Sequence, residues 1–126
     1  MSIAYGRETF DGIVVAVVTG DDAAIADVQT ALDAAMSAIY ELDTSLIAFD
    51  KRVLSEDFFE LRTGLAGEIL QKFVDYRVRA AIYGDFSGYA SEALKALMRE
   101  SNRGRDVFFV ETREEAVRRL AATASA

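Results

Sequence analysis

The apolar positions of this chain switch repeatedly between a period of two and a period near 3.6, and the switches divide it into strands and helices. Ile3 to Phe10 and residues 13–18 flank Asp11-Gly12. Asp-Gly supplies the positive φ angles of a type I′ turn, so the pair predicts a hairpin. The second run, IVVAVV, is apolar throughout, as expected of a strand covered on both faces. Gly20-Asp21-Asp22 then opens a helix, with Ile25, Val28, Leu32, Ala35, Met36 and Ile39 forming its buried stripe. Residues 45–49 (SLIAF) read as a short buried strand. Ser55 caps a short helical turn through Leu61. Residues 64–76 form the next helix, with Leu65, Ile69, Leu70 and Phe73 inward, and residues 78–83 the next strand. Ser91 caps a helix carrying Leu94, Leu97 and Met98. Asn102-Arg103-Gly104 ends it, with Gly104 suited to a left-handed position. The last strand is Val107–Val110, and Thr112 with Glu115 forms a capping box for a helix through Leu120.

The order β-β-α-β-α-β-α-β-α predicts an α/β fold, a mixed but mainly parallel sheet with helices packed on it. Residues 1–120 are expected to form a single domain, with the Ala-rich stretch 121–126 as a frayed tail. A chain of 126 residues buries roughly two-thirds of its unfolded surface, enough for a core without staples.

Composition narrows the chemistry more than it identifies it. Without Cys there is no thiol nucleophile and no Cys-based zinc or iron–sulfur site. Without His the chain has no Ser–His or Cys–His pair of its own. Catalysis would therefore fall to carboxylates, Lys, Tyr or an outside cofactor, and the sequence itself implies no cofactor. The net charge of −7 is uneven: residues 1–50 hold one base, Arg7, against nine acids, whereas the remainder holds thirteen bases against twelve. This argues against nucleic-acid binding, which needs a basic surface. The acidic half is a solvated surface, or a docking face for a basic partner. No run of about 18 apolar residues predicts a membrane span, and no signal-peptide pattern is present, so a cytoplasmic location is expected.

The run FFELRTGLAGEILQKFVDYRVRAAIYGDFS (residues 58–87), then Ser91 and ESNRGRDVFFV, together with DVQTALD in the first helix, resembles the bacterial domain of unknown function 4180 family. That resemblance covers nearly the whole chain and implies no biochemical role. Where the family usually has Asn in its QKF-x-N-Y segment, this chain has Asp75. The element order also resembles the anti-sigma-factor antagonist (STAS) domains. In those domains an Asp-Ser-Ser-Gly-type motif opens the helix after the third strand and its hydroxyl is a phosphorylation switch. Here Arg62-Thr63-Gly64 stands there, keeping the hydroxyl–glycine pair but with Arg62 in place of the acid and residues 51–61 inserted before it.

In an open parallel sheet, ligands bind beyond the carboxyl ends of the strands. Those ends are expected at residues 19–22, 50–52, 84–87 and at Glu111, with Thr63-Gly64 on the same side. Arg62, Thr63, Gly64, Asp85 and Ser87 are therefore the candidate binding residues, able to hold a phosphate or carboxylate. Each also has a structural role open to it: Thr63 as a helix N-cap, Arg62 paired with a nearby acid, and Gly-Asp-x-Ser as an Asx turn. Asp21, Asp22 and Asp50 could gather around Mg²⁺, but the first two also suit helix capping. Glu68, Gln71 and Lys72 share a helix face, as a recognition stripe or a solvated face with an intrahelical ion pair. Phe58 and Phe59 are adjacent, and on a short helical turn both rarely reach one core; core or lid packing is the first reading, and a cover over the sheet end or a dimer contact for one of them the second. Arg99, Glu100, Ser101, Asn102 and Arg103 read as helix capping first and as an interface second.

Three functions fit these residues. The first is a non-catalytic, STAS-like regulatory or protein-interaction domain, partnered by another protein or by a second copy. The second is a module binding a small molecule or an anion at the carboxyl edge. The third is a carboxylate-based enzyme, which needs a pair of acids with separated pKa values. No such pair stands out.

Overall fold

A computed structural model describes residues 2–124. β1 (Ile3–Phe10) and β2 (Ile13–Gly20) form the expected hairpin; Asp11 and Gly12 take φ of 51° and 79°, the two positive values of a type I′ turn. α1 (Val28–Leu42), β3 (Leu46–Asp50), α2 (Leu65–Asp75), β4 (Arg79–Tyr83), α3 (Glu92–Arg103), β5 (Val107–Val110) and α4 (Arg113–Ala124) follow. The chain is thus an α/β protein of the predicted element order. The sheet order is β1-β2-β3-β4-β5, antiparallel between β1 and β2 and parallel elsewhere.

This order explains the layers. Each crossover steps one strand further in the same direction, and crossovers of one hand then deliver their helices to one face. Ala31, Ala34, Ala35 and Ala38 of α1, Ala66, Ile69 and Phe73 of α2, and Leu94 of α3 pack there on Val18, Ile47, Phe49, Ile82 and Phe109. α4 covers the other face, where Ala116, Val117, Leu120 and Ala121 meet Val15, Val17, Leu46, Ala48, Ala81, Phe108 and Val110. Successive strand residues feed the two cores in turn, so the central strands must be apolar at every position. Phe49 and Phe73 stack with centroids 5.6 Å apart, tying β3 to α2.

Several boundaries differ from expectation. Asp21 and Asp22 do not open α1. The chain from Ala24 runs beside the segment after β3, Ile25 bridging to Leu54, and Asp27 caps the helix in a capping box with Thr30. Ile25 is buried from this extended segment rather than from the helix. Gly104 ends α3 with φ −91°, outside the left-handed region. At the end of α2 it is Arg77, φ 60°, that takes the left-handed position, with Val78 N–H closing back on the Phe73 carbonyl at 2.7 Å. α4 runs past Leu120 to Ala124 with Ala121 buried; Ser125 and Ala126 of the expected tail lie outside the described residues.

Candidate functional site

The carboxyl ends of the parallel strands meet three short 3-10 turns, Lys51–Val53, Glu56–Phe59 and Leu61–Thr63, which occupy the inserted segment between β3 and α2. Ser55 caps the second turn by accepting from Asp57 N–H at 3.3 Å. Phe58 and Phe59 are both buried, at 1% and 4% exposure, because the turn sets one ring edge-on to the other at 5.0 Å. Both belong to the core, the first of the two readings, although adjacent residues on a short turn rarely reach one core together. Phe59 stacks on Tyr89 at 5.2 Å and approaches Phe86 at 6.0 Å, and Phe86 packs edge-on to Phe109 of β5.

Lys51 runs beneath this aromatic layer. Its side chain is 19% exposed, and its Nζ sits 5.3 Å from the Phe59 ring centre, 4.9 Å from that of Tyr89 and 3.6 Å from Glu56. The Tyr89 hydroxyl donates to the Glu56 carboxylate at 2.9 Å. The Lys51 stem lies against Gly84: a Cβ on Gly84 would fall 2.7 Å from Lys51 Cβ, and Gly84 holds φ of 155°. Gly84 is therefore the residue that lets the end of β4 pass this close to the segment after β3.

On the opposite face of the sheet, Asp50 and Tyr83 are register partners. Arg52 donates to the Asp50 carboxylate at 2.9 and 3.3 Å, and its amide at 3.0 Å. Arg113, at the start of α4, reaches Glu8 of β1 at 2.6 Å. Burial acts to raise the Asp50 pKa, but the hydrogen bonds and charge of Arg52, with Lys51, outweigh it and hold the carboxyl below its usual range. Burial likewise works against the Lys51 ammonium, yet Tyr89 and Glu56 leave its pKa above the ordinary lysine value. Tyr83 is raised by burial and by the Asp50 charge, Tyr89 chiefly by burial.

Of the five candidate residues, two stand beside one depression, two beside another, and Gly64 lines neither. Arg62 and Thr63 line an open depression of about 610 Å³ with Glu56, Asp57, Glu60 and residues 88–91. Gly84, Asp85, Phe86 and Ser87 line a second, of about 550 Å³, with Met98, Glu111 and Thr112. Phe86 and Tyr89 stand between them, so the single convergence expected from chain order is divided by an aromatic layer. Arg62 is 86% exposed and lies 3.4 Å from Glu60. The Thr63 hydroxyl is engaged: it donates to the Asp57 and Glu60 carbonyls, each at 2.8 Å, and accepts from Leu65 N–H at 3.2 Å. Gly64, at φ 78°, occupies the N-cap position of α2, one residue beyond the cap expected at Thr63. Asp85 accepts from Ser87 N–H at 2.9 Å, an Asx turn, and the Ser87 hydrogen bonds lower its pKa.

The other candidates disperse. Asp21 accepts from Ser2 N–H at 3.0 Å while Asp50 is held by Arg52, and among the described residues no group of three metal-ligating side chains assembles. Gln71 pairs with Asp75 at 2.9 Å, so Asp75 serves its own helix; no Glu68–Lys72 ion pair forms among the described residues. Asn102 clamps β5, its side chain accepting from Phe109 N–H at 2.7 Å and donating to the Phe109 carbonyl at 3.0 Å. Arg103 pairs with Glu100.

A third depression, about 660 Å³ and larger than these two, lies at the amino edge, lined by Asp43, Ser45, Arg77, Arg79 and Asp106 among others. Its Arg79 guanidinium donates to the Thr123 carbonyl at 3.1 Å and so fastens α4. The carboxyl edge is the better candidate despite its smaller depressions. Asp50, Lys51, Arg52, Tyr83, Asp85 and Tyr89, all displaced from their ordinary pKa values, gather there. Lys51, Glu56 and Tyr89 were missed in the sequence because each looks like an ordinary surface residue; the inserted segment before α2 was the signal that could have found them. No described helix is long and apolar enough to cross a membrane. A family model described as "Domain of unknown function (DUF4180)" matches residues 10–120. No curated protein and no solved structure matches.

Proposed function

The chain belongs to the DUF4180 family, and from that premise, which supplies no activity, we propose that it is a non-catalytic protein-interaction domain that docks a partner at the carboxyl edge of its sheet. The observation that carries this reading is that the charged groups of this edge are already fixed by partners: Arg52 holds Asp50, Ser87 N–H holds Asp85, and Glu56 with two aromatic rings holds Lys51, and the pKa directions agree with it. Asp50 and Asp85 are held as carboxylates and Lys51 as an ammonium. A general acid or base needs the reverse, a group brought toward neutrality. The edge is instead set up as fixed charge around an aromatic layer, which suits recognition.

The depression beside Arg62 and Thr63 carries three carboxylates, Glu56, Asp57 and Glu60, against one guanidinium. That balance favours a partner surface bearing basic groups over a small anion. The Thr63 hydroxyl supports a regulatory role for the same edge, since any substituent on it removes its two donor contacts to the turn carbonyls.

The test is affinity capture with the wild-type chain, Arg62→Ala, Thr63→Glu and Glu56→Gln side by side. The reading expects a captured protein whose retention falls at least about tenfold, roughly 1.4 kcal/mol, in one or more variants that keep the wild-type circular dichroism. Retention unchanged in all three, or no specific partner, removes the docking edge.

A further inference from the structure

The two edges of the sheet are treated differently. At β5, the outward N–H and C=O of Phe109 are both taken by the Asn102 side chain, at 2.7 and 3.0 Å, so nothing can pair there in register. At β1 nothing comparable exists among the described residues. In a two-residue I′ hairpin the flanking pair, Phe10 and Ile13, is hydrogen-bonded, and the pattern alternates from there. The even residues of β1 therefore bond to β2, as the Asp21 N–H to Ser2 carbonyl bond of 3.0 Å confirms at the far end. Ile3, Tyr5, Arg7 and Thr9 direct their backbone groups outward, and among the described residues no hydrogen bond outside the strand pairing reaches them. The strand is eight residues long, with neither Pro nor bulge. Long open edges of this kind are templates for strand addition.

We propose that β1 pairs antiparallel with β1 of a second copy of this chain, joining two five-stranded sheets into one. The strand itself points to a second copy as occupant. Two-fold pairing across an edge keeps the sheet faces, so outward residues must meet outward residues. Only one such register pairs all four: Ile3 with Thr9 and Tyr5 with Arg7 of the second copy, in both directions, with Gly6 facing Gly6 on the axis. It sets Arg7, the single base of the first fifty residues, opposite an aromatic ring. A slip by one pair in one direction sets Arg7 against Arg7, a like-charge contact, and in the other it leaves Thr9 outside the ladder. β1 is itself neutral, carrying only Arg7 and Glu8, and Glu8 is already held by Arg113. The proposal is independent of the carboxyl-edge reading.

Because the chain has no cysteine, single thiols test the register directly. A Cβ on Gly6 meets only ordinary contacts, Arg113 Nη2 at 3.8 Å and the Val17 carbonyl at 3.9 Å. In the proposed register the two position-6 Cα atoms form a non-hydrogen-bonded pair about 4.5 Å apart, within disulfide reach. Sedimentation equilibrium should give the wild type twice the 13.8 kDa chain mass, and Arg7→Pro, which removes an outward N–H and the side chain set opposite Tyr5 but no bond to β2, half of that with its circular dichroism unchanged. Under mild oxidation Gly6→Cys should become a covalent dimer while Thr9→Cys, at a more exposed position but out of register with itself, should not. A monomeric wild type at sub-millimolar concentration, a folded Arg7→Pro dimer, or equal crosslinking of both thiol variants overturns the proposal. The crosslinking comparison decides alone if Arg7→Pro fails to fold.

Discussion

Replacing Asn102 with Ala removes the clamp on β5 and nothing else of consequence. The side chain makes two hydrogen bonds, from Phe109 N–H at 2.7 Å and to the Phe109 carbonyl at 3.0 Å. The bond from Arg119 to the Asn102 carbonyl, at 2.9 Å, uses the backbone and survives the change. Each side-chain bond contributes about 1 kcal/mol net. Phe109 is 5% exposed, so its N–H loses its partner with limited access to water, which adds to that cost. The expected loss is about 2–3 kcal/mol, a large part of a typical 5–15 kcal/mol. For a chain of this length it lowers Tm by roughly 6–15 °C. Urea denaturation followed by circular dichroism reads the loss as a lower midpoint at unchanged slope. Asn102→Asp sharpens the test: the ionised side chain still accepts from Phe109 N–H but sets an oxygen against the Phe109 carbonyl. Protonation restores a donor, so the Asp variant should recover toward wild type as pH falls. An Ala variant within about 0.5 kcal/mol of wild type would refute the clamp. So would an Asp variant whose deficit does not shrink on acidification.

Two further substitutions probe the candidate site. Gly84→Ala meets both a backbone conformation that side chains rarely adopt and the Lys51 stem at 2.7 Å; we expect a loss of about 2–4 kcal/mol by denaturation, together with a changed Tyr89 environment in near-ultraviolet circular dichroism. A loss below about 0.5 kcal/mol would show that Lys51 does not depend on that close approach. Asp50 has a folded pKa below its unfolded one, so its contribution is present above the unfolded carboxylate pKa and disappears as pH falls through the folded value. Asp50→Asn should therefore be less stable than wild type at neutral pH and level with it in strong acid; curves that stay parallel across that range would contradict the pairing with Arg52.

Much of the architecture was legible beforehand because local pattern carries it. Asp11-Gly12 has one favoured turn, IVVAVV reads as a strand with both faces covered, and Ser91 and Thr112 accept from the N–H groups three residues on. The start of α1 was misread because Asp21 and Asp22 resemble capping acids as closely as Asp27 does. What decided between them was the bridge from Ile25 to Leu54, a pairing across the chain that no local window contains. The site was legible as an edge, through the rule for parallel sheets, but not as a set of contacts. Phe86 and Tyr89 stand between the two groups of candidate residues because Phe59 offers them a ring to pack on, and that depends on the geometry of a 3-10 turn.

By itself, then, the sequence determined the order of strands and helices, the face that most of them bury, and that the chain has no His or Cys to offer catalysis. Periodicity and residue inventory are local quantities, and the physics that reads them acts over a few residues. The tertiary structure alone decided that Lys51 lies beneath two rings, that Asn102 closes one edge of the sheet, and that β1 leaves the other open. Each of these depends on which distant residue arrives beside which, set by the packing of the whole chain around two cores.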